Sequence, residues 1–421
     1  GKPLYFAKTS GTTSGAKYIP LTKESMSFHI EAARNAILAY IHETGKADFV
    51  DGKMIFLQGS PVLENKNGIQ LGRLSGIVAH FVPKYLQKNR MPSWETNCIE
   101  DWETKVNAIV EETFTEDMSV ISGIPSWVQM YFEKLQEKAQ PEPKANGANL
   151  KPVGELFKNF NLFIYGGVNY EPYRAKFENL FGRKVDSIEL FPASEGFFAY
   201  QDSQKDKGML LLLNSGIFYE FVKSDEFFTD PEGLGPKRYT IGEVELNVNY
   251  VLIISTNAGL WAYNIGDTIQ FTSLKPYRVI VSGRIKHYIS AFGEHVIGKE
   301  VECALKEAIE NTTIRVNEFT VAPQIAPETG LPYHEWFIEF DSDASGEPEN
   351  IDAFAEVLDN AMRKQNIYYD DLILGNVLRK VVISKVVKNG FQDYMKSIGK
   401  LGGQNKLPRL SNDRKIADFF N

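Results

Sequence analysis

The sequence is poor in cysteine and histidine, and this shortage excludes several classes of protein. Its two cysteines, Cys98 and Cys303, lie far apart, and its six histidines are scattered without the spacing of metal ligands. Disulfide-stabilised proteins need many cysteines, and zinc sites need closely spaced Cys or His ligands. The sequence therefore predicts neither a disulfide framework nor a zinc site. Cysteine usage of this kind favours a reducing compartment, so we expect a cytoplasmic protein.

Basic charge and long apolar runs are also scarce. Lys and Arg number 46 against 54 Asp and Glu, which gives a net charge of −8. A protein whose main partner is nucleic acid needs a basic surface, so this charge argues against that function. A transmembrane helix needs roughly 18 consecutive apolar residues, and the sequence contains no such run. We therefore expect no nucleic-acid partner and no membrane span.

Apolar residues are plentiful enough for more than one core. They make up 43% of the 421 residues, which suits two or three domains. Strand and helix patterns alternate through the first half, as is typical of a parallel α/β sheet, although residues 68–82 read as one core helix. Short alternating segments in 210–280 predict antiparallel strands, and the remainder predicts a compact α+β unit. We predict an N-terminal domain over 1–283 and a C-terminal domain over 284–421.

A loop near the beginning of the chain, residues 9–17, combines hydroxyl side chains with two glycines and ends in Lys17. Glycine frees backbone amides to turn inward, and hydroxyls add short donors, so such a loop can hold phosphate oxygens. It is not a Walker loop, because Gly11 and Gly15 are too close together and Tyr18 follows the lysine. The residues alone also allow an ordinary polar turn. Thr22 is the predicted N-cap of the long helix that follows.

Three later segments carry further candidates. Glu195 follows a predicted strand, where a carboxylate can hold Mg²⁺ beside phosphates, although such glutamates are common. Asp267 follows a predicted tight glycine turn and can accept bonds from two hydroxyls, although it can equally be a turn residue. A glycine-rich segment near the end, 399–409, carries Lys400 and Lys406, and a flexible basic loop is its simpler interpretation.

Taken in order, these segments resemble the adenylate-forming (acyl-activating) superfamily, and within it the GH3 (auxin-responsive promoter) family of acyl acid amido synthetases. The resemblance covers essentially the whole chain and is strongest at Ser194-Glu195 and at 258–263, Ala-Gly-Leu-Trp-Ala-Tyr. The sequence departs from the family at Phe191, where Tyr is usual, and near Asn257 and Asn264, where Tyr and Arg are usual. Family members also have a longer segment before the loop, so we expect residues preceding Gly1 to complete the substrate pocket.

The resemblance implies an ATP- and Mg²⁺-dependent ligase that adenylates a small carboxylic acid and passes the acyl group to an amine, usually an amino acid. It also implies a large N-terminal domain, with parallel α/β sheets and an antiparallel subdomain, and a smaller, mobile C-terminal domain that turns about 284–286. A thioester ligase and a non-catalytic binding protein are the alternatives. We expect a monomer or a homodimer.

The resemblance also implies roles for individual residues. Lys406, with Lys400 as its rival, neutralises charge on the reacting carboxylate and α-phosphate, Glu195 holds Mg²⁺, and Asp267 binds the ribose. Catalysis is assigned to Lys406, Glu195 and Thr12. The remaining nucleotide contacts fall in the loop, at two strand ends and at the domain junction: Thr9, Ser10, Gly11, Thr13, Ser14, Lys17, Gly166, Gly167, Phe191, Pro192, Ala193, Ser194 and Arg284.

Overall fold

The structure is a computed structural model, which describes residues 2–9, 17–139, 151–167, 170–229, 235, 237–285, 288–289, 291–292, 296–325, 327–341, 346–374, 377–402, 406–411 and 413–420. In chain order its strands are β1 (Tyr5–Thr9), β2 (Lys17–Leu21), β3 (Lys53–Phe56), β4 (Glu64–Lys66), β5 (Ile69–Gly72), β6 (Arg90–Met91), β7 (Met118–Ser122), β8 (Leu162–Gly166), β9 (Asp186–Ala193), β10 (Gly196–Tyr200), β11 (Met209–Leu211), β12 (Ile217–Lys223), β13 (Asn249–Thr256), β14 (Tyr263–Leu274), β15 (Tyr277–Arg284), β16 (Tyr288–Ile289), β17 (Val296–Ile297), β18 (Val316–Gln324), β19 (Tyr333–Phe340) and β20 (Val382–Lys385). Its α-helices are α1 (Lys23–Thr44), α2 (Leu74–Ala79), α3 (Lys84–Gln87), α4 (Trp94–Asn97), α5 (Trp102–Thr113), α6 (Pro125–Ala139), α7 (Val153–Leu156), α8 (Glu171–Phe181), α9 (Ser224–Thr229), α10 (Gly298–Ile309), α11 (Ile351–Gln365), α12 (Ile367–Leu374), α13 (Gly390–Ser397) and α14 (Ala417–Phe420). None of the helices described is both long and apolar enough to cross a membrane.

A small mixed sheet in the strand order β2-β1-β5-β4 opens the fold. β1 and β2 form an antiparallel hairpin, and β5 runs parallel to β1, with Leu71 opposite Phe6. The prediction of one helix over 68–82 is therefore wrong in its first part. Leu71 is buried against β1, so the chain is extended there and becomes helical only at Leu74.

The long helix α1 begins where the sequence predicts. The Ser25 N–H donates to Thr22 Oγ1 (3.2 Å), and the Thr22 N–H donates to Ser25 Oγ (3.0 Å). This reciprocal pair satisfies two amides that lack partners within the helix, so the predicted N-cap is confirmed. The buried face of α1 carries Ala32, Ala36 and Tyr40, which pack on the large sheet.

The large sheet has eleven strands in the order β12-β13-β14-β15-β11-β10-β9-β8-β7-β3-β6. Strands β6, β3, β7, β8 and β9 are parallel. In sheet order, every neighbouring pair from β9 through β10, β11, β15, β14 and β13 to β12 is antiparallel. The predicted α/β class, with a parallel sheet followed by antiparallel strands, is confirmed. Because parallel strands end at one edge of a sheet, the segments after β3, β7, β8 and β9 meet there.

The parallel half is covered on both faces. On one face α1 packs over a cluster that includes Ile164 and Ile188. On the other face α5, α6, α7 and α8 enclose a larger aromatic cluster that includes Trp102, Phe132 and Phe177. Coverage of both faces explains why these strands read as nearly continuous apolar runs.

The antiparallel half encloses a core of its own, with Phe198, Phe221 and Phe271 among the buried residues. The sheet curls strongly enough for Ile217 of β12 to reach the start of β10. A Cβ at Gly196 would lie 2.5 Å from Ile217 Cδ1. The curl therefore brings strands that are distant in sheet order close together beside the β9–β10 turn.

The remaining elements, β16 to α14, are called the C-terminal unit here, and the part that precedes them is called the body. The sheet β18-β19-β20 packs against α10, α11 and α12 around Trp336 and Leu358. A smaller cluster joins α13 and α14 to the same sheet. This arrangement agrees with the α+β pattern of the sequence, although α12 and α13 were not predicted.

Lysines connect the two parts. Lys176 of α8 lies 2.9 Å from Glu133 Oε1 in the body and donates to Asn317 Oδ1 (2.5 Å) in the C-terminal unit. Lys299 of α10 donates to Gln270 Oε1 of β14. The C-terminal unit therefore contacts both the helical layer and the antiparallel half of the body.

Candidate active site

The turn after β8 lies at the edge where the parallel strands end. Gly166 pairs with Leu190 of β9, and a Cβ at Gly166 would lie 2.6 Å from the Leu190 carbonyl oxygen. Gly167 has φ +78, a conformation that side chains rarely tolerate. The backbone therefore requires glycine at both positions.

The Lys406 ammonium reaches this turn from the other end of the chain. Its Nζ donates to the Gly167 carbonyl oxygen, and a Cβ at Gly167 would overlap the ammonium. Lys400 lies at the end of α13, where its N–H donates to Met395 O (2.8 Å). Of the two candidate lysines, it is Lys406 that the structure brings to the strand ends.

Glu195 lies in a turn between two neighbouring strands. Ala193 pairs with Gly196, so Ser194 and Glu195 form a two-residue hairpin turn between β9 and β10. Glu195 is half-buried there. Because β9 is hydrogen-bonded to β8, this turn is on the same edge of the sheet as Gly167.

The residues before Glu195 alternate between the two sides of β9. Phe191 is buried in the antiparallel core, where its ring lies 5.0 Å from that of Phe198. Pro192 is exposed, and Ala193 and Ser194 are half-buried. The alternation directs the Phe191 ring into the core rather than toward the strand end.

Asp267 is placed differently from the sequence expectation of a turn. It lies within β14, opposite Arg284 of β15, and is only 7% exposed. Gly266 has φ +87, and the β13–β14 register shifts nearby, so the glycine forms a strand irregularity. The turn prediction is therefore wrong, because the Gly266 carbonyl oxygen accepts from the Ile285 N–H (2.8 Å) and Asp267 stays paired with Arg284.

The ends of the glycine- and hydroxyl-rich loop are close to the same strand. Thr9 pairs with Lys17, which closes the β1–β2 hairpin, and Lys17 Nζ donates to the Tyr263 hydroxyl at the start of β14 (3.3 Å). Five of the predicted contacts lie outside the described residues: Ser10, Gly11, Thr12, Thr13 and Ser14.

Polar side chains gather at the end of β3, where the sequence offered only Arg73 as a signal. A Cβ at Gly59 would lie 3.2 Å from Arg73 Cδ and 3.6 Å from Ser75 Oγ. Gln58 Nε2 and Ser75 Oγ are buried without a hydrogen-bond partner in the described part of the chain. Burial lowers the pKa of the Arg73 guanidinium from its usual value. These groups can bind a polar or anionic ligand at the same sheet edge.

Lys105 is another cation that the sequence pattern did not reveal. It is buried under this edge, and its Nζ donates to the carbonyl oxygens of Gln58 (2.9 Å) and Asn97 (2.7 Å). Burial lowers the pKa of its ammonium to about 8. Its position on the buried face of the amphipathic helix α5 gave no sign of this role, which is to fix the segment that follows β3.

Three models of one family match the chain. The N-terminal, central and C-terminal domain models of the GH3 family match residues 1–100, 210–284 and 299–415 respectively. The jasmonoyl–L-amino acid synthetase JAR4 of Nicotiana attenuata is 22% identical over 419 residues, which covers 82% of this chain and 69% of that protein.

Solved structures share the fold. That of the AtGH3.15 acyl acid amido synthetase in complex with 2,4-DB superposes with a TM-score of 0.75 at 15% identity, covering 99% of this chain and 81% of that one. A 2-hydroxyisobutyryl-CoA ligase in the postadenylation state gives a TM-score of 0.59 at 12% identity, covering 99% and 74%. At these identities the similarity establishes the fold alone.

Proposed function

The chain belongs to the GH3 family, and on that basis we propose that it is an ATP-dependent acyl acid amido synthetase. A carboxylate attacks the α-phosphorus of ATP and releases pyrophosphate, which gives an acyl adenylate. An amine, supplied by an amino acid, then attacks the acyl carbon, and AMP leaves as the amide forms. The contact of Lys406 with the Gly167 turn is the observation that carries this proposal.

Lys406 is proposed to act in the first step. The carboxylate and the α-phosphate both carry negative charge, and their approach concentrates it. A positioned ammonium stabilises that charge more in the transition state than in the ground state. Lys406 reaches the strand ends as an exposed side chain, so it is accessible to a ligand held there.

The body is proposed to hold ATP around this lysine. The 9–17 loop would bind phosphate oxygens, with Lys17 beside Tyr263 at its end, and Arg284 would contact ribose or phosphate. Asp267 would accept bonds from the ribose hydroxyls with its carboxylate. The backbone of the Gly166–Gly167 turn and the 191–194 segment would flank the adenine, with Phe191 supporting that wall from the core side.

Glu195 fits a magnesium site of the kind found with nucleotides. The described residues include no group of three or more His, Cys, Asp or Glu side chains that could hold a metal ion. Mg²⁺ in nucleotide sites is commonly bound by one or two carboxylates together with substrate phosphates and water. A single half-buried glutamate at the strand ends suits this mode, and the ion would neutralise phosphate charge.

Arg73, Ser75 and Gln58 are proposed to contact the acid substrate. Gln58 Nε2 and Ser75 Oγ lack a hydrogen-bond partner in the described residues, and Arg73 lies beside Gly59 at the end of β3. The C-terminal domain, taken as 284–421, is proposed to rotate about 284–286 between the two steps. A cytoplasmic monomer or homodimer is also proposed. Cys98 and Cys303 are both free, in line with a reducing location.

A panel of carboxylic acids crossed with amines tests the proposal. Pyrophosphate release should require one class of acid, and AMP release should require an amino acid rather than coenzyme A. Lys406→Ala serves as the control and should abolish acid-dependent release. Stimulation by coenzyme A would instead assign a thioester ligase, and no release with any acid would assign a binding protein.

A further inference from the structure

Gly402, four residues before Lys406, packs closely against the body. Gly402 is buried and has φ +76. A Cβ at this position would overlap Cβ and Cγ of Trp102 and would lie 2.8 Å from its Cδ2. The backbone of Gly402 therefore lies directly on the first residue of α5, with no space for any side chain.

Trp102 offers a fixed surface for this contact. It is 4% exposed, and its ring lies 4.5 Å from that of Trp127 within the aromatic core of the body. Asp101 caps the same helix, since its Oδ1 accepts from the Thr104 N–H (2.9 Å). A ring held by core packing and by a capped helix end does not give way when a neighbour is enlarged.

The flanking residues support the same contact. Leu401 packs against the aromatic core that contains Trp102. One residue earlier, the Lys400 N–H donates to Met395 O, which ties the segment to the end of α13. Residues 400–402 thus connect a helix of the C-terminal unit to a helix of the body.

The distance along the chain links this contact to the lysine. Four peptide units separate Gly402 from Lys406, and an extended chain of that length spans at most about 14 Å. Gly402 and Lys406 therefore cannot move far apart, and a shift of Gly402 changes the region that the Lys406 backbone can reach. Lys406 Nζ must nevertheless reach the Gly167 carbonyl oxygen.

We propose that Gly402 and Trp102 form a docking seat that positions Lys406 for adenylate formation. The inference rests on the proposed function of Lys406. Gly402 is a positioning residue, because it touches Trp102 and acts on the reaction only through the lysine. Formation of the amide from an existing acyl adenylate does not use the seat, so the seat affects one half-reaction and spares the other.

Two glycine-to-alanine variants test this seat. Gly399 has φ +65, so alanine there meets similar backbone strain, but nothing lies within 4 Å of its Cβ position. Gly402→Ala should lower acid-dependent exchange of pyrophosphate into ATP by roughly 10- to 100-fold, as a shift of about 1 Å does in other sites. Gly399→Ala should stay within about 2-fold of the wild type, because strain alone does not displace the lysine. Amide formation from added acyl adenylate should be nearly unchanged in both variants.

Equal exchange rates for the two variants would overturn the proposal, as would equal loss of both half-reactions in Gly402→Ala. If Gly402→Ala does not fold, Leu401→Ala replaces it and should lower exchange several-fold while sparing amide formation. Hydrogen exchange of residues 396–402 and of α5 gives a readout that does not depend on activity. Faster exchange of both segments in Gly402→Ala supports the seat even if the wild-type chain activates no acid, a result that would reject the proposed function alone.

Discussion

The body and the C-terminal unit supply the candidate site in different ways. Gly167 and Glu195 are positioned by strand ends in a sheet whose two faces are both buried. Lys406 is positioned by a segment that rests on the body at Gly402. The first group is held by the core of one sheet, whereas the lysine depends on contact between two parts of the protein. The C-terminal contribution should therefore be the easier one to remove without unfolding the body.

The contacts between the two parts also differ among themselves. The Gly402–Trp102 contact and the Lys176 cluster are buried, whereas the ion pair of Lys396 with Glu103 (3.0 Å) is exposed on both sides, at 62% and 51%. Removing one partner of a buried contact costs much stability, whereas removing one partner of an exposed ion pair costs little. The four predictions below test these differences.

The largest effect is expected from Lys406 itself. Lys406→Ala should lower acid-dependent pyrophosphate exchange by about 10³-fold, because a preorganised charge at the reacting oxygens is lost. Exchange assays with purified variants measure this effect, and amide formation from added acyl adenylate should fall far less. Lys400→Ala is the matched control and should stay near the wild-type rate. A greater loss in Lys400→Ala would reassign the catalytic lysine.

A second large effect is expected at Lys176. Its side chain is 10% exposed, and it lies between Glu133 and Asp341 (3.7 Å to Oδ2) while donating to Asn317. Lys176→Met removes the buried cation that Glu133 and Asp341 share. The free energy of unfolding should fall by about 3 kcal/mol. Urea denaturation followed by tryptophan fluorescence measures it, with Lys134→Met as the control, since Lys134 is a half-buried lysine beside Glu133 on the same helix. A loss below about 1 kcal/mol would contradict the bridging role.

A pH-dependent effect is expected within the C-terminal unit. Burial raises the pKa of the Glu300 carboxyl to about 7, against an ordinary value of 4.5. The folded state therefore binds this proton more tightly, and the resulting stability is full below pH 4.5 and is lost as pH rises through 7. The free energy of unfolding of Glu300→Gln should exceed that of the wild type by about 2 kcal/mol at pH 8 and should differ little from it at pH 4.5.

The control for that experiment is Glu310→Gln, at the exposed end of the same helix, which should leave the pH profile unchanged. In the body, the pKa shift of His29 has the opposite sign. Burial lowers its pKa to about 4, so the stability contributed by the neutral imidazole is lost as pH falls from about 6.5 to 4. A Glu300→Gln profile parallel to that of the wild type between pH 4.5 and 8 would show that this carboxyl ionises normally.

The smallest effect is expected at the exposed ion pair. Lys396→Ala should change pyrophosphate exchange by less than about 2-fold and should leave the free energy of unfolding nearly unchanged. The same two assays measure it at low and high salt. A loss as large as that in Gly402→Ala would show that charge at the helix surface, rather than packing on Trp102, docks the C-terminal unit.

Local patterns in the sequence were sufficient where neighbours in the chain decide the structure. The Thr22 cap, the apolar strands of the parallel half and the start of α10 at Gly298 depend on residues within a few positions. Ordered motifs were also sufficient for the family, because their sequence order does not depend on the geometry that joins them. The positions of Glu195 and the Gly166–Gly167 turn followed from the general rule that parallel strands end at one edge.

Long-range contacts decided the rest. Asp267 was expected in a turn, but pairing with Arg284 keeps it in a strand, and Leu71 is extended because β1 lies beside it. The proximity of Lys406 to the strand ends comes from a contact with Gly167 across 239 positions, which no local pattern predicts. The role of Gly402 depends on Trp102 in the same way. By itself the sequence determined many of the elements, the family and most of the candidate residues, because these follow from local chemistry and order. Only the tertiary structure decided which of them meet, because that depends on how two separately packed cores rest against each other.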